Sequence, residues 1–250
     1  GMIATESVRE CIGISNLVAY KLKYGILSYF KSHQIVATQL TISDTHFGLT
    51  LLTGTPTPVE HRISITDSYI AGLGLLSTPE VYAGRSDECT NLTALYIPVG
   101  TEGYRSSPPT KYALPWFWFW YNPVWKTTLT VRNVHFANFK EGLVSGCSKH
   151  QLMMSIPNAS DTSYVSLYSQ ITTTNIGTED FFYFNEEDPE WLTVDGCGNW
   201  QCTGLRNILV KDTDGSLTGS PSTIIPNNPG VAERSCTFFS DENGFICPGL

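Results

Sequence analysis

The chain has few charged residues, and most of those are acidic. Asp, Glu, Lys and Arg together make up 15% of the 250 residues, and the formal net charge is -8. Lys and Arg form no cluster longer than two residues. Nucleic acids and anionic membrane surfaces are held by clustered basic side chains. We therefore expect no nucleic-acid partner and no binding to an anionic membrane surface.

Long apolar runs are also missing. The longest is the aromatic segment Trp116–Tyr121, which is far shorter than the ~20 residues that a membrane-spanning helix needs. No signal peptide is visible at the start of the sequence. We interpret Gly1-Met2 as a fragment boundary within a longer extracellular chain, and we expect no membrane insertion by this segment.

Known catalytic and metal-binding patterns are absent from the sequence. It contains no paired CxxC spacing of a zinc site, no HExxH, no phosphate-binding glycine loop and no nucleophile elbow. We therefore expect no catalytic residues, no bound metal and no cofactor.

A short pattern does recur: two apolar residues that alternate with variable ones, then Asp or Asn, one variable residue, an aromatic residue or His, and an apolar residue. The alternation predicts a strand with one buried face, and the Asp or Asn predicts a turn after it. Three full copies and one shorter copy are Leu40–Phe47, Ile63–Ile70, Leu129–Phe136 and Ile208–Asp212.

The spacing of these copies predicts a repeat fold. The first two start 23 positions apart and the third lies 66 further on, close to three such steps. Periods of this size indicate stacked repeats. The prediction is an all-β parallel β-helix, a solenoid of roughly 22-residue coils with loop insertions. It forms a single segment over residues 1–250, with a loop-rich insertion at about 78–115.

The amino-terminal stretch 1–34 admits two interpretations. An amphipathic helix is conceivable around Ser15–Leu27, but β-branched and aromatic residues and Gly25 disfavour it. We predict another coil instead, with strands near Val18–Tyr20 and Gly25–Tyr29.

Cysteines and glycosylation sequons together favour the secretory pathway. The sequons begin at Asn91 and Asn158. Seven cysteines are candidates for disulfides, and the odd number leaves at least one thiol free or paired outside the chain: Cys11, Cys89, Cys147, Cys197, Cys202, Cys236 and Cys247. We favour a Cys236–Cys247 bridge. A Cys197–Cys202 bridge, or links from Cys147, Cys197 and Cys202 between coils, stay open.

One segment resembles a known family. The sequence Asp212-Thr213-Asp214-Gly215-Ser216-Leu217-Thr218-Gly219 is similar to a motif of the fibrocystin and fibrocystin-L family. Related segments occur in the cell-migration-inducing hyaluronan-binding proteins. Weaker similarities to the family are found in Asn16–Tyr20, Tyr24–Ile26, His46–Leu49 and Gly198–Gly204. The resemblance implies a right-handed parallel β-helix in a secreted or surface glycoprotein of cilia, stereocilia or matrix.

Several constellations could carry function or only structure. Trp116, Trp118 and Trp120 could contact a partner or a glycan, or could be covered by the 78–115 insertion. The acidic residues of Glu179–Glu190 could supply the carboxylate pair of a glycosidase, but a solvated loop is favoured. Asp212 and Asp214 could bind calcium, although an Asx-turn completed by Gly215 is favoured.

The histidines are interpreted as structural. His46 and His135 occupy the same position in their copies of the pattern, so we predict that they stack in one ladder. From these observations we expect a non-catalytic structural or adhesive segment at the cell surface, which assembles with other copies or other extracellular subunits, into filaments or a surface coat. The alternative is a carbohydrate-binding or polysaccharide-cleaving β-helix module.

Overall fold

The computed structural model describes about half of the chain, and all regular structure there is β-strand. The described residues are 11–22, 24–28, 34–45, 47–51, 60–72, 93–96, 125–139, 152–157, 162–176, 182–185, 208–226, 235–239 and 244–249. The strands are β1 Cys11–Ser15, β2 Val18–Tyr20, β3 Tyr24–Ser28, β4 Gln34–Thr38, β5 Thr41–Ser43, β6 Phe47–Leu51, β7 Glu60–Ala71, β8 Thr93–Tyr96, β9 Trp125–Phe139, β10 Leu152–Pro157, β11 Thr162–Ser169, β12 Thr172–Ile176, β13 Phe182–Asn185, β14 Ile208–Asp212, β15 Ser222–Pro226, β16 Thr237–Phe239 and β17 Gly244–Pro248.

These strands form two sheets, in which most neighbours run parallel. In the larger sheet β1, β4, β7, β9, β11 and β14 follow one another as parallel neighbours, and β2, β5 and β12 pair beside them. The smaller sheet contains β3, β6, β8, β10 and β13, all parallel. The prediction of an all-β fold is confirmed for the described residues, and so is the strand assignment of Val18–Tyr20.

The separation in sequence between paired positions varies widely from one strand to the next. Along one row of the larger sheet, the successive partners are Cys11 with Gln34, Gln34 with Arg62, Arg62 with Thr128, Thr128 with Val165, and Val165 with Leu209. The longest step joins β7 directly to β9, so it is a single step. The prediction that it spans three coils is therefore wrong, and a step close to the predicted coil length holds only for the first pair.

Side chains of one type line up across the larger sheet, and the apolar ones form the core. Ile63 and Leu129 are paired neighbours, as are Ile65 and Val131, and all four are almost completely buried. Because alternate residues of a strand face opposite sides, the residues between them, Ser64 and Thr130, are less buried than these four. Each of the four buried side chains contributes roughly 1.5–3 kcal/mol by leaving water.

The strands bend at corners where a residue adopts a left-handed backbone conformation. Asp67 and Asn133 have φ of 51° and 52°, which Asn and Asp tolerate better than most residues. Gln39 and Gln170 adopt it at the same corner, which an Asp/Asn pattern cannot reveal. Asp44 belongs to a second corner, where its N–H donates to the carbonyl oxygen of Gly72 at 3.2 Å.

The copies of the pattern therefore do not all place their Asp or Asn at the same corner, although each copy marks a strand and a turn. Asp44 of the copy Leu40–Phe47 lies at one corner, and Asp67 of the copy Ile63–Ile70 lies at the other. Thr41 and Tyr69 occupy the ladder position of His135. His46 lies outside the described residues, so its predicted stacking with His135 stays a prediction.

Two segments outside the copies of the pattern also contain strands. The stretch 78–115, predicted to be a loop-rich insertion, contributes β8, which pairs with β6 and β10. The tail after Ser220 contributes β15, β16 and β17. In the described parts of the chain, no helix is long and apolar enough to span a bilayer.

The larger sheet changes direction at its carboxyl-terminal end. β15 runs antiparallel to β14, β17 antiparallel to β15, and β16 antiparallel to β17. A disulfide joins Cys236, just before β16, to Cys247 in β17. We refer to β15, β16, β17 and this disulfide as the antiparallel cap.

Candidate functional site

Most of the residues singled out from the sequence lie outside the described residues. This holds for the sequon asparagines, the three tryptophans, four of the cysteines and all of the acidic residues in 179–190. Those residues are Asn91, Asn158, Trp116, Trp118, Trp120, Cys89, Cys147, Cys197, Cys202, Glu179, Asp180, Glu186, Glu187, Asp188 and Glu190. Their predicted roles stay predictions.

The cysteines that the structure does describe divide into a bridge and a free thiol. Cys236 and Cys247 form a disulfide with Cα atoms 4.2 Å apart. Cys11 is exposed on β1 and carries a free thiol, so its place among the disulfide candidates is corrected. It stands on the outward face of a strand at the end of the sheet, where no second described cysteine can reach it.

A buried carboxylate organises the turn in which the family-like motif lies. Asp212 is only 1% exposed. Its Oδ1 accepts a hydrogen bond from the N–H of Gly215 at 3.0 Å, and its Oδ2 accepts from the N–H groups of Leu217 at 3.0 Å and Thr218 at 2.8 Å. The Thr218 hydroxyl adds a fourth contact, at 2.9 Å. These donors point positive dipoles at the carboxylate and satisfy its charge without a cation.

Gly215 is required by the same turn. Its φ is +82°, a conformation that favours glycine, and a Cβ there would lie 2.7 Å from the Cα of Ser220. Gly215 supplies the positive φ that was predicted. The predicted Asx-turn at Asp212 is not found, because Asp212 accepts from the N–H three positions later; the bond from an N–H two positions later is made by Asp214 with Ser216. The structure adds that Asp212 faces the interior, in register with Tyr168.

Asp214 is exposed and ties the turn to the neighbouring corner. Its Oδ2 accepts from the N–H of Gln170 at 2.7 Å, and its Oδ1 accepts from the N–H of Ser216 at 3.0 Å. Partial desolvation raises the pKa of Asp214, but these hydrogen bonds outweigh it, so the pKa lies below its usual value. No group of three or more His, Cys, Asp or Glu side chains within the described ranges could hold a metal ion.

The outer face of the larger sheet carries ladders of polar and aromatic side chains. The rings of Tyr69 and His135 stack with centroids 5.4 Å apart and planes within 5°. His135 Nδ1 lies 2.7 Å from the hydroxyl of Thr172 on the next strand. At the adjoining corner, the Asn133 amide donates to Asp67 Oδ1 at 2.6 Å. These contacts link neighbouring strands side chain to side chain.

The amino-terminal end of the larger sheet differs from the rest. Within residues 11–22, β1 pairs only with β4 among the described strands. Ile12 and Ile14 are half-buried, whereas their ladder neighbours Ile35 and Ala37 are 4% and 1% exposed.

Large apolar side chains concentrate on the same segment. Val18 is 67% exposed, Tyr20 63% and Leu22 38%. This surface was not predicted from the sequence, although the signal was present in β2, where the large Val18 and Tyr20 alternate with the small Ala19. In a strand with one buried face, large apolar residues on both sides of a small one indicate that the outward face is also apolar.

The chain matches no protein-family model and no curated protein. Functional conclusions therefore depend on the geometry described above.

Proposed function

We propose that the chain winds as a right-handed parallel β-helix and serves as a non-catalytic structural or adhesive segment of an extracellular protein. The order of the strands supports this winding. Each strand of the smaller sheet falls, along the chain, between successive parallel strands of the larger one: β3 between β1 and β4, β6 between β4 and β7, and so on to β13 before β14. A chain that alternates between two parallel sheets in this way describes successive coils.

The observation that carries the mechanical role is the bonding between coils. Neighbouring strands share backbone hydrogen bonds, a buried apolar ladder and outer side-chain contacts such as Asp67–Asn133. A stack in which every coil is held by its neighbours on both sides resists bending and local opening. The disulfide Cys236–Cys247 fits an oxidising compartment and so supports an extracellular or cell-surface location, with a ciliary surface as the specific proposal.

The resemblance to the fibrocystin family supports the same role. The residues that carry it, Asp212 to Gly219, build the turn at which the parallel stack ends and the antiparallel cap begins. Membership of that family remains our proposal.

Pulling a single molecule by its two ends tests the proposal. Coils released one at a time would lengthen the chain in separate steps, each set by the sequence separation between paired strands and therefore roughly 80–230 Å long. Several force peaks, separated by extensions of these lengths, are expected. The coil next to the antiparallel cap should open last, because the cap protects it from unfolding. One cooperative extension of the whole chain would contradict a stack of mechanically separable coils.

The alternative function, a carbohydrate-binding or polysaccharide-cleaving module, is supported by the exposed ring of Tyr69, which is 39% accessible beside the Asp67–Asn133 pair. Aromatic faces next to planar polar groups can bind sugar rings. Incubation of the intact protein with neutral and acidic polysaccharides would show depolymerisation if it were an enzyme. We expect none, and turnover lost on changing Glu186, Glu187, Asp188 and Glu190 to their amides would overturn our assignment.

A further inference from the structure

An aspartate followed by glycine is one of the places where a polypeptide backbone rearranges most readily, because glycine has no side chain to shield its amide nitrogen from the preceding carboxyl group. The sequence contains two such pairs, Asp195–Gly196 and Asp214–Gly215. The first lies outside the described residues. The second lies in the turn between β14 and β15, where the parallel strands give way to the antiparallel cap. The contacts of this turn therefore decide how readily the second pair reacts.

We infer that Asp214–Gly215 is a latent site of isoaspartate formation, which the hydrogen bonds of the folded turn suppress. In the first step the Gly215 nitrogen attacks Cγ of Asp214. A C–N bond forms, the nitrogen loses its proton, and the carboxyl hydroxyl takes that proton and leaves as water. In the second step water opens the cyclic imide. Cleavage at Cγ restores aspartate, whereas cleavage at the backbone carbonyl carbon of Asp214 leaves the chain running through the former side chain.

The first step requires a free Gly215 nitrogen, and in the folded turn this nitrogen is engaged. Its N–H donates to Asp212 Oδ1 at 3.0 Å. Asp212 is 1% exposed, and its other oxygen accepts from the N–H groups of Leu217 and Thr218, so the position of the carboxylate is fixed. An amide that donates to a buried carboxylate becomes free to react only when the turn opens.

The carboxyl group of Asp214 is engaged as well. Its Oδ2 accepts from the N–H of Gln170 at 2.7 Å and its Oδ1 from the N–H of Ser216 at 3.0 Å, so rotation of the group away from this geometry breaks at least one bond. Slight desolvation acts to raise the pKa of Asp214, but the hydrogen bonds outweigh it and hold the pKa below its usual value. The ionised form is therefore favoured, and it is the protonated acid that loses water to form the imide.

Isomerisation would weaken the junction with the cap permanently. An isoaspartyl residue adds its Cβ to the main-chain path and carries the free carboxylate on Cα. The Gly215 N–H is then displaced from Asp212, and the two bonds that tie Asp214 to Gln170 and Ser216 are lost. A brief opening of the turn is thereby converted into a lasting covalent change. This inference goes beyond the proposed mechanical role and does not depend on it.

Peptide mapping of the whole chain after storage at mildly acidic pH tests the inference. The isoaspartyl peptide has unchanged mass, elutes separately and resists a protease that cleaves before aspartate. We expect Asp214–Gly215 to isomerise at least about tenfold more slowly in the folded chain than in the same chain unfolded in guanidinium chloride, because a hydrogen bond to a charged group changes such an equilibrium by about that factor or more. Equal rates in the folded and unfolded chains would overturn the inference.

Two variants distinguish the turn from general instability. Asp212→Ala frees the Gly215 N–H and should raise the rate about tenfold or more over that of the unchanged chain. The matched control is Ile65→Ala, which destabilises the buried core away from the turn and should leave the rate unchanged. Equal acceleration in both variants would overturn the inference. If Asp212→Ala does not fold, the unchanged chain supplies the test in guanidinium chloride below its unfolding transition. The rate should rise there through local opening, and a rate that follows only the unfolded fraction would overturn the inference.

Discussion

Replacing Asp212 by alanine should be among the most damaging single substitutions in the described part of the chain. The carboxylate is 1% exposed and accepts bonds from three backbone N–H groups and one hydroxyl. Hydrogen bonds to a charged group contribute about 1.5–3 kcal/mol each, and donors that reach water recover part of that. Because only the Leu217 bond is fully buried, we expect a loss of about 3–5 kcal/mol in the free energy of unfolding.

Two companion variants distinguish what the buried charge of Asp212 contributes to the free energy of unfolding from what the other hydrogen bonds of the turn contribute. Asp212→Asn keeps one acceptor oxygen for Gly215 but turns an N–H₂ group toward the N–H groups of Leu217 and Thr218, so a loss of about 2–3 kcal/mol is expected. Asp214→Ala removes two exposed hydrogen bonds, which should cost about 0.5–1 kcal/mol. Equilibrium unfolding in urea measures all three. If Asp212→Ala lost no more than Asp214→Ala, the idea of a buried carboxylate holding the turn would be refuted.

Three further predictions concern the core, the cap and pH. Ile65→Ala should lower the free energy of unfolding by about 2–5 kcal/mol and Val18→Ala by less than about 0.5 kcal/mol, as measured in urea, since the first side chain is completely buried and the second is 67% exposed. Reducing Cys236–Cys247 should cost about 2–3 kcal/mol, shown by the denaturation midpoint with and without reductant, and an unchanged midpoint would contradict a bridged native cap. The lowered pKa of Asp214 means that its ionised form contributes stability above pH 3.8, which is lost as the pH falls through the folded-state pKa. Asp214→Asn should therefore make the acid limb of the stability curve shallower, and an identical limb would contradict the shift.

The recurring pattern revealed strands and turns but not which corner each turn occupies. Both corners bend through a left-handed residue, so Asp44 in the copy Leu40–Phe47 and Asp67 in the copy Ile63–Ile70 look alike in sequence. Gln39 and Gln170 make the same bend without an Asp or Asn and were therefore missed. The corner that each Asp occupies depends on which strands pair, and the pairing is decided only in the folded sheet.

The spacing of the pattern failed for a different reason. The cost of closing a loop rises only slowly with its length, so a coil can accept a long insertion at a corner without losing the pairing of its strands. That is how β7 and β9 stay neighbours across the longest step of the sheet. The antiparallel cap was also unforeseen, because a reversal of strand direction leaves no periodic signal, whereas the Cys236–Cys247 pairing followed from two cysteines close in sequence.

The most direct test of the stacked parallel arrangement is a methyl nuclear Overhauser measurement on protein labelled at Ile, Leu and Val. We expect cross-peaks between Ile63 and Leu129 and between Ile65 and Val131, which are paired neighbours on β7 and β9 although they lie far apart in sequence. Ile35 and Leu129, two strands or about 10 Å apart, should give none. Two results would contradict the direct pairing of β7 with β9. One is a cross-peak between Ile63 and Val131 with none between Ile65 and Val131. The other is the absence of cross-peaks from both expected pairs.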